Sequence, residues 1–368
     1  MLTRLVRKIR SGIDAWNEFW FADVAPYSLA LLRILTGGML VYTNFVWGLK
    51  FQEFLGPDGF NGDFLLKELQ RGIVPTAFLS FWWIVPENFV PTVHAACLTV
   101  LVCFMLGWMT RITSILAVFI TVSYAHRAML ANYGLDQINS ILVIYLALSR
   151  CGDAYSLDRL WQLSRKRRRK IAPERRMFLS LPKAHWTNCL AMRLIQCHYC
   201  VIYFAAGTGK LQGESWWNGE AIWRAVANHE YQSLDMTWLA HAPWLVNFIT
   251  HLTVFWEISF CFLVWRPALR PFILLVGALM HLGIGAFLGM WTFGLAMLFG
   301  YLGFVPPEVV AKILNPLGRL LPLRKGDLPL RPSEEARTGI LAGQEGLILQ
   351  DSSEPESLSI GEVSLGRS

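Results

Sequence analysis

A single lysine marks the seam of the stretch Tyr203–Gly219, where the apolar run YFAAGTG stops at Lys210 and gives way to a segment carrying Trp216 and Trp217. Two chemistries are open to such a lysine. Its ammonium can snorkel toward water on its apolar stem, or partial burial can hold it unprotonated and make it a base. The decision rests on which other polar groups reach the same depth, and the chain offers His126, Asp136, His251 and His281. Taken singly, each histidine reads as a hydrogen-bonded core residue. Gathered at one depth with Lys210, they read as an embedded active site or an ion pathway. A second set, Arg33 and Glu257, lies nearer the opposite side and is expected to form an ion pair that fixes helix register. Cys197-His198-Tyr199-Cys200 has no second Cys/His pair at a suitable spacing, so it reads as core packing and no metal site is expected.

The elements that position these residues follow from composition. Hydrophobic residues make up 54% of the 368, charged residues only 16%, and mean hydropathy is +0.40, which sets the chain apart from soluble domains. The expected fold is an all-α integral membrane protein: a bundle of about eight transmembrane helices, with an amphipathic N-terminal helix over 1–22 and a disordered tail. The spans are read at 26–47, 91–109, 111–129, 137–151, 188–208, 244–265, 267–288 and 290–305, within a polytopic unit over 23–310. Loops at 48–90 and 209–243 are expected outside, facing periplasm or lumen. The basic loop 159–187 and the tail 311–368 are expected in the cytoplasm with the N-terminus, because Arg and Lys cluster there. The net charge of +7 therefore reports loops facing anionic lipid, with no nucleic acid as partner. The seven cysteines lie mostly in apolar runs and read as small hydrophobes, not as a disulfide framework.

With these residues in view, the chain resembles the HTTM family, the membrane domain of the vitamin K-dependent γ-glutamyl carboxylases. The resemblance rests on Arg33-Ile34-Leu35-Thr36-Gly37, on Asp136-Gln137 through Tyr155-Ser156-Leu157-Asp158, on Tyr203 to Gly219, on Glu257, and on His281 with Gly289 to Phe293. Its most specific piece is Ala206-Gly207-Thr208-Gly209-Lys210-Leu211 followed by Trp216 or Trp217. The resemblance implies that Lys210 is a base toward a reduced vitamin K-type quinone. Oxygen then adds, and the strong base so formed removes a γ-proton from a substrate glutamate, whose carbanion attacks carbon dioxide. It implies His281 as a second catalytic residue and a protein or peptide substrate on the outer side, while Tyr203, Trp216, Trp217 and Asp136 from the matching segments, with His126 and His251 from the same depth, are expected around the cofactor.

The chain also departs from the family. It has no counterpart of the large lumenal region that binds the substrate propeptide. A family histidine near the fourth span is replaced by Leu135 or Asp136, and one of two paired lysines is Gly209. Quinol binding by a basic lysine is thus better supported than glutamate carboxylation. Two other classes stay open: a transporter or channel whose path is lined by Lys210, His281 and Asp136, and a scaffold that keeps the bundle without the reaction. The composition alone predicts that alkaline carbonate leaves the chain in the membrane pellet while detergent releases it; recovery in the carbonate supernatant would refute the membrane reading.

Overall fold

The computed structural model describes residues 2–55, 80–128, 131–168 and 182–314. The turn sequence Gly56-Pro57-Asp58-Gly59, residues 169–181 of the basic loop and the tail after 314 fall outside the described residues. Within them the chain is helical, apart from an isolated antiparallel bridge between Val24 and His185. In chain order the principal helices are α1 (Leu2–Phe21), α2 (Tyr27–Leu49), α3 (Val90–Leu106), α4 (Thr110–Arg127), α5 (Gly134–Leu148), α6 (Trp186–Lys210), α7 (Pro243–Leu263), α8 (Arg270–Leu288) and α9 (Trp291–Gly300). Proline occupies the first turn of α3, α7 and α8, where its missing N–H costs no helical hydrogen bond.

Every one of the eight expected segments is helical. Among the described residues, five helices are long and apolar enough to cross a membrane: α2, the stretch Glu87–Leu106 that contains α3, α6, α7 and α8. A sixth is added if Trp291–Phe304 and Pro307–Leu314, bent by 112° at their junction, count as one span. α5 has 15 residues, which at 1.5 Å per residue rise only about 22 Å, less than the roughly 30 Å of a hydrocarbon core.

The long helices bury and expose their faces as a protein in lipid does. On α8 the buried positions are Ile273, Gly277, His281 and Gly285, at intervals of four, while Phe272, Leu275, Leu279 and Leu282 are exposed. On α7 the buried face carries Thr250, Glu257 and Phe260, and Phe248, Leu252, Phe255 and Phe262 point outward. The glycines and most polar groups of these two helices thus face the interior, beside buried apolar residues such as Trp256 and Phe260, while the exposed positions are largely apolar, the pattern expected when the solvent is hydrocarbon. α1 differs. Val6, Ile9, Ile13 and Trp16 form one exposed apolar stripe, consistent with a helix lying at an interface. Its end docks on the start of α6, where Arg193 Nε donates to Phe19 O at 2.9 Å.

The ion pair expected between Arg33 and Glu257 does not form. Arg33 is fully buried on α2, and its Nη1 and Nη2 donate to Cys151 O at 3.0 Å and Tyr155 O at 2.6 Å in the turn after α5. Depth in a span sets which groups are level with one another, but rotation about the helix axis decides which way each points. Arg33 faces the α3–α4 junction. Gly107, at φ +71° and with no room for a Cβ beside Arg33 and Ser156, closes that junction. Asp158 then accepts from the backbone N–H groups of Met109 (2.8 Å) and Thr110 (2.7 Å). Replacing Arg33 by Met removes the guanidinium that donates to Cys151 O and Tyr155 O. The thermal midpoint in detergent should fall, by the equivalent of about 3 kcal/mol, with Arg33→Lys recovering part of the loss because an ammonium lacks the guanidinium fork.

Candidate functional site

Lys210 is the last residue of α6 and Glu257 lies in the second half of α7. The two helices run antiparallel, since Tyr203 packs on Phe260 (ring centroids 4.5 Å apart) while Lys210, two turns further along α6, reaches Glu257. They approach closely at Gly207, where a Cβ would stand 2.7 Å from Ile258 Cγ1 and 3.0 Å from Glu257 Cβ. This near contact brings the lysine within reach. Lys210 Nζ makes its aligned hydrogen bond to Glu257 Oε1 at 2.9 Å, while Oε2, at 2.7 Å, is the closer charge contact without an aligned donor. The lysine side chain is 22% exposed and the glutamate 8%, so the pair is partly open on the lysine side. The indole of Trp216 covers Nζ at 5.1 Å from its ring centroid, a cation–π contact. Trp217 is exposed, its Nε1 donating to Leu211 O at 2.7 Å.

Seven residues before Lys210, and therefore on nearly the same face about 10 Å along the axis, Tyr203 opens a second cluster. Its hydroxyl lies 2.7 Å from His281 Nε2 and 2.7 Å from Tyr301 Oη. All three residues are buried, and His281 Nδ1 has no hydrogen-bond partner. The Tyr203 ring is enclosed by Trp256 and Phe260, with centroids at 4.8 and 4.5 Å. Trp256 is itself anchored by its Nε1–H to Ile273 O at 3.1 Å. A hydroxyl pair ending on an imidazole is a route along which a proton can be handed on.

The remaining sequence candidates stand apart from these two clusters. Asp136 accepts from Tyr133 N–H at 3.1 Å and completes the capping box of α5, while Tyr133 Oη meets Thr292 Oγ1 at 2.8 Å. His251 is exposed, its Nδ1 2.9 Å from Asn247 O on its own helix, and His126 is half-buried on α4. None of these hydrogen bonds involves Lys210. One residue and one pairing of the site escaped the sequence reading. Tyr301 lies in a 3₁₀ turn beyond α9 and carries no motif. The partnership of Glu257 with Lys210 was equally hidden, although both residues stand out as charges beside apolar runs.

No family model, no curated protein and no solved structure matches the chain. The site therefore has to be read from its own geometry. Lys210→Met should lower the thermal midpoint by the equivalent of about 2 kcal/mol, because it leaves a buried carboxylate unpaired. The double variant Lys210→Met/Glu257→Leu should recover most of that loss. Additive effects in such a cycle would show that the contact carries no energy.

Proposed function

We propose that this chain is a carboxylase-like membrane enzyme in which Lys210 acts as general base toward the hydroxyl of a reduced vitamin K-type quinone. The reading is carried by one observation: a partly exposed lysine paired with a buried carboxylate and covered by an indole, where two membrane-length helices meet. Lys210, Glu257 and Trp216 fit a planar, lipophilic, hydroxyl-bearing ring. Trp216 offers an aromatic face, the exposed Phe204 and Phe262 form an apolar flank, and Lys210 is reachable from outside. Tyr203 and His281 fit it less directly, because they are buried and hydrogen-bonded to each other. We therefore assign them as positioning residues behind Lys210. The bundle reading adopted with this proposal keeps all eight helical segments as spans, both termini cytoplasmic and the Lys210 side facing periplasm or lumen.

When bound, the reduced quinone supplies an acidic hydroxyl and, with oxygen, the base strength needed to remove a glutamate γ-proton. The chain's own part is proton handling. Lys210 and Glu257 sit within proton-transfer distance, so one proton count has two forms: ammonium beside carboxylate, and amine beside carboxylic acid. In the amine form the Nζ lone pair can accept a proton from a hydroxyl placed against Trp216. The deprotonated hydroxyl is then the counter-charge of the ammonium that results, and the neutral Glu257 acid can turn its carbonyl oxygen to accept from it, keeping Lys210 in place as the base.

The test supplies a reduced vitamin K-type quinone, oxygen, labelled bicarbonate and a glutamate-rich peptide to the purified full chain. Lys210→Ala should cut label incorporation about a hundredfold or more, and Tyr203→Phe by a smaller factor. Equal incorporation by wild type and Lys210→Ala would remove the lysine from the mechanism, and no incorporation by wild type would sink the carboxylase reading.

A further inference from the structure

A different part of the bundle concentrates polar atoms that have nothing to bind. Asn44 on α2, Thr121 on α4 and Asn139 on α5 are each more than nine-tenths buried, at 7%, 7% and 1% exposure. Asn44 Oδ1, Thr121 Oγ1 and Asn139 Oδ1 all lack a hydrogen-bond partner. These three residues line one small cavity together with Asp136. Asn44 cannot turn its amide to escape, because its Nδ2 donates to Leu40 O at 2.8 Å and so leaves Oδ1 free. The other hydroxyls lining the cavity are already committed, Ser140 Oγ to Asp136 O at 2.7 Å, Thr43 Oγ1 to Met39 O at 3.0 Å and Tyr124 Oη to His94 Nδ1. Unmet buried acceptors cost about 1–3 kcal/mol each, so three around one void call for a ligand that all of them can bind.

We propose that this cavity is a binding site for a monovalent cation of sodium size. Its ligands are oxygens throughout: two amide carbonyls, a hydroxyl and a carboxylate, which is hard-cation chemistry. Asp136, as the one carboxylate lining the cavity, balances one positive charge. A divalent ion would leave a charge uncompensated in a low-dielectric interior. The void of about 20 Å³ takes a single water-sized species. There is no space for a hydrated ion, so protein oxygens must replace the hydration shell, as carbonyl rings do in ion filters. A lone water would bring two hydrogens to four facing oxygens. Among the described residues no His/Cys/Asp/Glu cluster suits a transition metal, which agrees with a site of mostly neutral oxygens. The nearby cation Arg127 stacks over Trp83 at 4.9 Å and does not line the cavity.

The test compares thermal midpoints of the full chain in detergent with NaCl, KCl or choline chloride at equal ionic strength, alongside retention of ²²Na⁺ by the wild type. Sodium should raise the midpoint saturably by several degrees, with potassium weaker, and ²²Na⁺ should be retained and displaced by unlabelled sodium. Thr121→Val, which removes an oxygen while keeping the shape, and Asp136→Asn should each raise the half-saturating sodium concentration at least tenfold. In choline, Thr121→Val should melt no lower than wild type, since it deletes an unsatisfied hydroxyl. Equal midpoints in sodium and choline without ²²Na⁺ retention would mean a trapped water only. An unaltered sodium response in both variants would place the ion elsewhere. Either result overturns the assignment, and the isotope measurement needs no variant to fold.

Discussion

A charge surrounded by hydrocarbon has to be neutralised where it stands, and the contact between Lys210 and Glu257 meets that demand at the junction of α6 and α7. The rest of the local structure follows from it. Oppositely charged groups on two helices meet only at one register and one rotation, and Gly207 lets the backbones come near enough for both to be reached. Desolvation makes such a contact costly to form and costlier to break on one side. It is therefore better regarded as a device that specifies one packing than as a net source of stability.

Tyr203 joins this junction to the interior. Its ring belongs to an aromatic cluster with Trp256 and Phe260, and its hydroxyl belongs to a polar chain with His281 and Tyr301. A tyrosine can serve both because its apolar body packs at any depth while its hydroxyl accepts and donates at once. α6 thus carries, on one face, the open end of the site at Lys210 and its closed end at Tyr203. α8 and the turn after α9 enter only through the closed end, so their contribution to Lys210 is indirect.

The helical segments were legible in the sequence because apolar runs bounded by glycine, proline and charge have few other ways to fold. α4, for example, was expected at 111–129 and is observed at Thr110–Arg127. Partnerships were not legible. Position along a span can be counted from its ends, but direction around the axis depends on packing, and Arg33 and Glu257 were joined for being charged inside spans. The structure gives Arg33 two carbonyls and Glu257 a lysine at the end of a helix. Part of the site was within reach: the seven-residue interval from Tyr203 to Lys210 already places both on one face. Asn44, Thr121 and Asn139 were beyond it. A neutral polar residue in an apolar helix commonly bonds to its own backbone, and only convergence from three helices reveals that one oxygen of each is left without a partner.

The hydrogen bonds of Arg33 join residues 118 and 122 positions apart in the chain. Synthesis proceeds at roughly 5–20 residues per second, so the guanidinium on α2 is made about 6–24 s before the carbonyls that will receive it. Throughout that interval the second helix carries a charge with no native partner. Lateral release into lipid is then unfavourable by a few kcal/mol, and α2 gains by waiting in a hydrated environment until the turn after α5 has emerged. The Arg33 contact thus ties the first candidate span to the turn after α5, and it is complete only once both segments have been made.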